Sequence, residues 1–290
     1  MLRPYRPDDF SVVTKFLGEC WCRDTPNNYH PGDFAHWMSS RYRGEGLERH
    51  FHIAEEAERI IAVAELDAKS GYYAFVMDSA VRGGDRELEF HRICTATMRA
   101  RRSGAVRVNL MAGDLAGKIC LEQLGFAPAD ADYAVLVRSL EIVPEPRLPE
   151  DFHIRSVAGE HEARRVAEVH KGAFGRNWTE AEYRKVMRTP GFIIENELVA
   201  VAPGGRFAAF AVIWPDPVSR SGLFEPVGCD SEFARRGLAR ALLFAGMKRM
   251  KAAGMDTALV GCEPSNAPAL GLYRSAGFEL FFDTVDYVLD

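Results

Sequence analysis

The sequence predicts an α/β chain made of two tandem copies of one domain, each a twisted mixed β-sheet flanked by helices. Three observations carry that prediction. The first is length: 290 residues exceed one core of ordinary size, and two lobes of roughly 150 residues are the default. The second is an internal repeat, the feature whose omission misreads a fold. Cys120-Leu121-Glu122-Gln123-Leu124-Gly125-Phe126 matches Leu272-Tyr273-Arg274-Ser275-Ala276-Gly277-Phe278 at an offset of 152, and the same offset carries Leu2-Arg3 onto Ile154-Arg155 and Asp114 onto Asn266. The third is that strand-like and helix-like stretches alternate through both halves, as a mixed sheet covered by helices requires. Pro144-Glu145-Pro146-Arg147-Leu148-Pro149-Glu150-Asp151 lies between the copies. Three prolines among charges build neither helix nor ladder strand, so 144–151 reads as a semi-rigid linker between domains at 1–143 and 152–290.

The second copy is the clearer. A strand is expected at His153 to Val157, then an amphipathic helix from Glu160 to Phe174 with Val166, Val169 and Ala173 on one face. Thr179-Glu180-Ala181-Glu182 has capping-box spacing and opens a second helix. Strands follow at Leu198 to Ala202, Phe207 to Trp214 and Leu223 to Cys229. A helix then runs from Arg236 to Ala253, with Leu238, Leu242, Ala245 and Met250 as its apolar stripe and Gly254 as its C-cap. A strand at Thr257 to Gly261, a helix at Ala267 to Ala276 and two closing strands through Phe281 and Val288 complete it. The first copy repeats this order with a helix at Asp9 to Cys20 and strands at Phe51 to Ala54, Ile60 to Leu66 and Tyr72 to Met77. A helix at Arg86 to Arg102, a strand at Ala105 to Met111, a helix at Leu115 to Leu124 and a strand at Tyr133 to Val137 follow.

Composition narrows the function classes. Hydrophobic content of 47% with 27% charged residues is that of an ordinary globular chain. A net charge of −5 argues against a general affinity for nucleic acid or anionic membrane. The N-terminal run from Met1 to Asp9 has no apolar leader, and no stretch reaches the 18 to 20 or so apolar residues of a membrane span. A cytoplasmic location is therefore expected. The six cysteines, Cys20, Cys22, Cys94, Cys120, Cys229 and Cys262, have neither zinc-finger nor redox spacing; no metal is expected. What remains is a small-molecule substrate or a protein terminus.

The chemistry-bearing stretch runs from Phe224 to Leu243: a strand, a basic turn with one glycine, and a helix. A helix N-terminus offers unpaired N–H groups and the positive end of the macrodipole to a phosphate. Gly237 lets backbone approach such an anion, and Arg235, Arg236 and Arg240 add charge. By itself a basic turn before a helix is more readily a solvated helix start. The stretch resembles, however, the acyl-CoA-binding motif of the GCN5-related N-acetyltransferase (GNAT) superfamily, Gln/Arg-x-x-Gly-x-Gly/Ala. The pattern falls on Ala234-Arg235-Arg236-Gly237-Leu238-Ala239, with Ala234 in place of the first Gln or Arg. Asn266-Ala267-Pro268-Ala269-Leu270-Gly271-Leu272-Tyr273-Arg274-Ser275-Ala276-Gly277-Phe278 matches a second pattern of that superfamily, Asn-x-x-Ala-x-x-Leu-Tyr-x-x-x-Gly-Phe, at every defined position.

The resemblance covers 152–290 and extends faintly to the first half. It implies a GNAT-like fold and an enzyme that moves an acetyl or other short acyl group from acyl-CoA, acetyl-CoA above all, to a primary amine of a small molecule by direct attack. It implies that backbone of a bulged strand around Val227 and Cys229 pairs with the pantetheine arm and that N–H groups of Arg235, Arg236, Gly237, Leu238, Ala239 and Arg240 cradle the pyrophosphate. Asn266 would help to position the acyl-CoA, and Tyr273 would protonate the departing thiolate. Glu225, on the strand beside the thioester, is the candidate general base; its other reading is an edge charge. Cys229 reads as a packed strand thiol, since no histidine is placed near it by sequence. The acceptor side is expected around Phe174-Gly175-Arg176-Asn177-Trp178, with Asn177 and Trp178 as candidate substrate contacts, and Trp178 is equally a packing residue at a helix start.

In the first copy the offset sets Asp85 opposite Gly237, where an anion would meet Asp85 and Glu87, Asp114 opposite Asn266 and Leu121 opposite Tyr273. That half is therefore expected to be degenerate, serving the fold and shaping the acceptor side. Rival readings are an acetyltransferase of protein N-termini or lysines, a non-catalytic acyl-CoA sensor or scaffold, and a scaffold that binds no CoA at all. A homodimer is compatible with all of them.

Overall fold

The computed structural model describes residues 2–21, 29–175 and 177–290, without the side chains of 130–132. Expectations that fell on Met1, Cys22 and Arg176 lie outside the described residues. The first half runs β1 (Leu2–Pro4), α1 (Phe10–Cys20), α2 (Pro31–His36) continuing into a π-helical turn at Trp37–Arg41, α3 (Leu47–His50), β2 (Phe51–Glu56), β3 (Arg59–Asp67), β4 (Tyr72–Met77), α4 (Asp85–Arg101), β5 (Val106–Met111), α5 (Leu115–Gln123) and β6 (Ala127–Ser139). The second half runs β7 (His153–Ser156), α6 (Ala163–Phe174), α7 (Glu180–Met187), β8 (Glu197–Val201), β9 (Phe207–Asp216), β10 (Ser221–Cys229), α8 (Leu238–Ala252), β11 (Thr257–Cys262), α9 (Ala267–Ser275) and β12 (Glu279–Leu289).

Two compact units result, and they are not contiguous in sequence. One holds residues up to Pro31, Gly46–Ala134 and Phe282–Asp290; the other holds Gly32–Glu45 and Val135–Phe281. Compared with domains divided at a linker of 144–151, two segments have changed places. The reasons are local. Thr284–Leu289 of β12 pair antiparallel with Val106–Met111 of β5, which spends the last strand in the first unit. Residues 32–45 are fastened to α7 by the Arg43–Glu182 ion pair and by Lys185 Nζ on Glu45 Oε1 at 2.6 Å. The end of the chain is one strand, β12, where two were expected, and Asp286 keeps its place in the ladder opposite Asn109. The helices within 31–50 were not anticipated either, because Gly32, Gly44 and Gly46 punctuate that segment.

In the first unit, β2 pairs with β1 and β3, β3 with β4, all antiparallel, and β4 with β5 in parallel. In the second unit the order is β7-β8-β9-β10-β11, antiparallel except for parallel β10 and β11. Phe207 to Ile213 are all buried, which is why β9 reads as an unbroken apolar run rather than an alternating one. α6 covers it: Val166, Val169 and Phe210 share a core with Tyr183 and Val199. The Thr179 capping box forms as its spacing predicts, with Thr179 Oγ1 accepting from Glu182 N at 3.2 Å and Glu182 Oε2 accepting from Thr179 N at 2.9 Å. Among the described residues, no helix is long and apolar enough to cross a membrane.

The repeat extends to side-chain detail. Asp78 and Asp230, 152 apart, each cap a 3₁₀ turn, Ser79–Val81 and Ser231–Phe233. Asp114 and Asn266 cap α5 and α9 by accepting from the third N–H beyond, at 3.0 and 3.1 Å. Arg3 pairs with Asp9 at 2.7 Å as Arg155 pairs with Glu162 at 2.6 Å. The second pair is testable. Glu162 also accepts from Arg165 at 2.6 Å and from the Ala158 N–H at 2.9 Å, and hydrogen bonding to Arg155, outweighing burial, lowers its pKa from 4.5 to about 2. A depressed carboxylate contributes stability above its unfolded pKa and loses it as pH falls toward the folded one. Thermal melts should therefore lose roughly 2–3 kcal/mol of stability through this group between pH 5 and pH 2. Glu162→Gln should be destabilised at pH 6 and converge on the unsubstituted protein near pH 2.

Candidate active site

The site begins at an irregularity in β10. Phe224 faces Ile213, but Val227 faces Ala211, so one extra residue is inserted at Glu225-Pro226, whose peptide bond is cis. A bulge bends its strand and ends regular pairing. Accordingly, β10 pairs with β11 only from Ser221 to Phe224, and beyond Glu225 the two strands part, while Val227, Gly228 and Cys229 remain paired with β9. The Trp214 indole N–H donates to the Glu225 carbonyl at 2.5 Å and fixes the bulge. In the first unit the β3–β4 register runs from Ala62↔Met77 to Asp67↔Tyr72 without a shift.

Beyond the bulge the chain passes through the Asp230-capped 3₁₀ turn into residues 234–237 and α8. Arg235 (φ 64°) and Gly237 (φ 79°) are both left-handed, and Gly237 is the N-cap of α8 without a side-chain cap. A Cβ on Gly237 would meet nothing within 4 Å, and no acid stands in the first turn of α8. Arg235, Arg236 and Arg240 are exposed, Arg236 lying 5.6 Å over the Phe233 ring. Leu238 is buried and Ala239 half-buried, anchoring the turn. The result is a rigid helix start with uncapped N–H groups, surplus positive charge and open space above its glycine, which suits a pyrophosphate.

Tyr273 lies on α9, buried against Phe278 at 6.1 Å. Burial pushes its phenol well above the ordinary tyrosine range, and the nearby Glu225 and Cys262 reinforce the shift. Asn266 is exposed, its oxygen spent on capping α9. Burial likewise raises the Cys229 thiol to about 11, with Asp230 adding to it; a protonated thiol is a packing residue and no nucleophile.

Beside the bulge is a cavity of about 160 Å³, walled by Phe174, Trp178, Tyr183, Phe192 and Trp214 and by the polar groups of His36, Ser39, Ser40, His170 and Glu225. Trp178 packs on Tyr183 at 5.9 Å and also lines the cavity, with Arg43 5.0 Å over its ring. Asn177 is exposed and stands outside the wall. Behind the wall, Tyr183 Oη donates to Glu197 Oε1 at 2.8 Å, and His170 Nε2 is 3.3 Å from the same oxygen and stacks on Phe210 at 3.7 Å. Glu197 is fully buried and its Oε2 has no partner. His170 could have been found in the sequence as a polar residue on the apolar face of Val166 and Val169. His36 and Ser40 gave no signal, since they belong to the copy that carries no motif.

The corresponding turn of the first unit is built differently. It has three residues, 82–84, where the second unit has four, so Gly84 caps α4 and Asp85, opposite Gly237 by offset, opens the helix on the exposed side. The acid that enters the turn is Glu87, fully buried, accepting from Gly83 N at 2.6 Å and from Arg82 at 2.9 Å, while Arg82 also pairs with Asp114. Leu121 is buried in the core where Tyr273 stands in the other unit.

Two α/β units that repeat one element order, the second with parted strands, a basic helix start and a buried tyrosine on the following helix, define a tandem GNAT fold. Residues 163–278 match the profile described as the acetyltransferase (GNAT) family. The tandem GNAT protein from the clavulanic acid biosynthesis pathway has the same fold, with a TM-score of 0.68 at 13% identity over 100% of this chain and 98% of that one. Among curated proteins the chain is similar to the mycothiol acetyltransferase of Saccharomonospora viridis, 27% identical over 156 residues, or 50% of this chain and 51% of that protein. It is also similar to that of Rhodococcus jostii, 26% identical over 270 residues and 84% of each. The first of these matches spans only about half the length of the relative. Among the described residues, no group of three or more His, Cys, Asp or Glu is placed to hold a metal ion.

Proposed function

We propose that this chain is an acyl-CoA-dependent N-acetyltransferase that acetylates a primary amine of a small molecule in its second unit. The observation that carries the reading is the bulge at Glu225-Pro226, which parts β10 from β11 and in the same stroke puts Glu225 into the wall of the aromatic cavity. Backbone of Val227 and Cys229 would hold the pantetheine arm along the opened strand. The 235–240 turn would hold the pyrophosphate, with Arg235, Arg236 and Arg240 standing in for the family's first Gln or Arg, absent at Ala234. Asn266 acts indirectly, by setting the start of α9 and hence the place of Tyr273.

Bound acetyl-CoA supplies the thioester. Glu225 accepts the proton of the attacking amine, and Tyr273, kept protonated by burial, gives its proton to the sulfur. The cavity selects a cation: five aromatic rings, the buried Glu197 behind them and Glu225 favour an ammonium over a neutral or anionic group. Its size admits a head group of about benzene dimensions, which favours a small amine over a folded protein surface. In the first unit Glu87 occupies the place an anion would take, and that unit serves the fold.

Incubation of the purified chain with acetyl-CoA and a panel of small primary amines should release free thiol with some of them and acetylate their nitrogen, read by thiol assay and mass spectrometry. Binding of acetyl-CoA with no thiol release from any amine would leave a sensor. Activity on protein lysines alone would refute the small-molecule reading.

A further inference from the structure

We propose that His36 and Glu225 act as one two-site proton acceptor in this cavity, with Ser40 holding the imidazole, an inference that rests on the acetyltransferase reading of the same site. His36 Nε2 stands 3.6 Å from Glu225 Oε1 and 2.9 Å from Ser40 Oγ, and all three residues line the cavity. His36 ends α2 and Ser40 lies four residues on in the π-helical turn, so helical spacing puts both on one face. The imidazole packs edge-on to Trp214 at 6.1 Å, and the same indole holds the Glu225 carbonyl. One ring thus sets both partners. The segment that brings His36 is tied down at its far end by Arg43 on Glu182 and Trp178 and by Lys185 on Glu45.

Proton counting gives the pair its purpose. A primary aliphatic amine, with a pKa near 10 like that of lysine, arrives as an ammonium at neutral pH. It must lose two protons to become an amide, and a single carboxylate accepts one. His36 Nε2 takes the first proton, which frees the nitrogen lone pair. Glu225 takes the second as the nitrogen–carbon bond forms. The carbon–sulfur bond breaks, its electron pair stays on sulfur, and Tyr273 supplies the proton of the thiol. Glu225 then restores the proton to Tyr273 and His36 releases its own to solvent, so one proton leaves per turnover, as conversion of ammonium and thioester to amide and thiol requires.

The test uses the full chain with acetyl-CoA and an amine from the screen above. His36→Gln should lower kcat about 10²-fold and leave the KM for acetyl-CoA within twofold, because His36 lines the acceptor cavity and the 235–240 turn is not part of its wall. In His36→Gly, added imidazole should restore the rate in proportion to its concentration, which a packing role would not produce. Ser40→Ala, which leaves the ring in place, should lose a few-fold in kcat. Unchanged kcat in His36→Gln, a loss confined to the acceptor KM, or no response of His36→Gly to imidazole would each overturn the pair while the unsubstituted enzyme remained active. An unsubstituted chain that is silent with every amine would overturn both readings, and the silence itself tells that case apart.

Discussion

Tyr273→Phe should cut the rate of thiol release by about 10²-fold to 10⁴-fold, the span of a positioned general acid, and leave acetyl-CoA affinity unchanged. The ring volume is preserved, and loss of one buried hydroxyl shifts stability by no more than about 1.5 kcal/mol, so an inactive protein would still be folded. The direction of the pKa shift makes a second claim. Burial raises the phenol above its ordinary value of 10, so the protonated form persists to higher pH than in an exposed tyrosine. The rate of the unsubstituted protein should show no loss attributable to Tyr273 up to at least pH 9.5. Stopped thiol assays from pH 6 to 9.5 on both proteins check both points. A variant with the original kcat would mean that solvent protonates the sulfur and that Tyr273 is packing on Phe278.

How much of this was legible in the sequence depends on whether a residue's role is local. The α8 turn and Tyr273 sit in contiguous patterns whose spacing is dictated by one strand end or one helix face, and their places could be read residue by residue. The Thr179 capping box is the same kind of signal. Asn266 was expected to position acyl-CoA, and its capping of α9 was not foreseen. A bulge around Val227 and Cys229 was expected only from the resemblance; its place at Glu225-Pro226 becomes visible only against the register of β9. The acceptor cavity was half readable: Phe174 ends α6 and Trp178 follows it closely in sequence, whereas His36, Ser40 and Trp214 come from elements 178 residues apart at the extremes. The offset of 152 set Asp85 opposite Gly237 and had an anion meet both Asp85 and Glu87; with a loop one residue shorter, Asp85 is exposed and Glu87 is the acid inside the turn. Side-chain periodicity survives such a deletion; the identity of the residue facing a ligand does not. The exchange of residues 32–45 and 282–290 between units is the extreme case, since pairing of β12 with β5 is a property of the sheet and leaves no mark in either segment.

Gly237→Asp should abolish measurable acetyl-CoA binding, with a loss of at least about 10²-fold in affinity, and Gly237→Ala should lose far less. The two variants share their backbone cost. Gly237 is left-handed at φ 79° with nothing near its Cβ, so any side chain fits the space and incurs roughly 1–2 kcal/mol for the conformation. Asp tolerates that region better than Ala and is accepted at an N-cap, so the melting temperature of Gly237→Asp should be no lower than that of Gly237→Ala. What separates them is charge: a carboxylate about 4 Å from a phosphate costs about 4 kcal/mol at the effective dielectric of a protein surface, near a thousandfold before screening. Calorimetric titration should give one acetyl-CoA site per chain in the unsubstituted protein, none in Gly237→Asp, and a gap between Asp and Ala that narrows as salt is raised. The single site follows from the first unit, where the Glu87 carboxylate already satisfies the Gly83 N–H and Arg82. That acid is the natural counterpart of the engineered one, placed inside the turn instead of on its rim. Two sites in the unsubstituted protein would show that Glu87 can be displaced, and binding indifferent to Gly237→Asp would move the pyrophosphate away from α8 altogether.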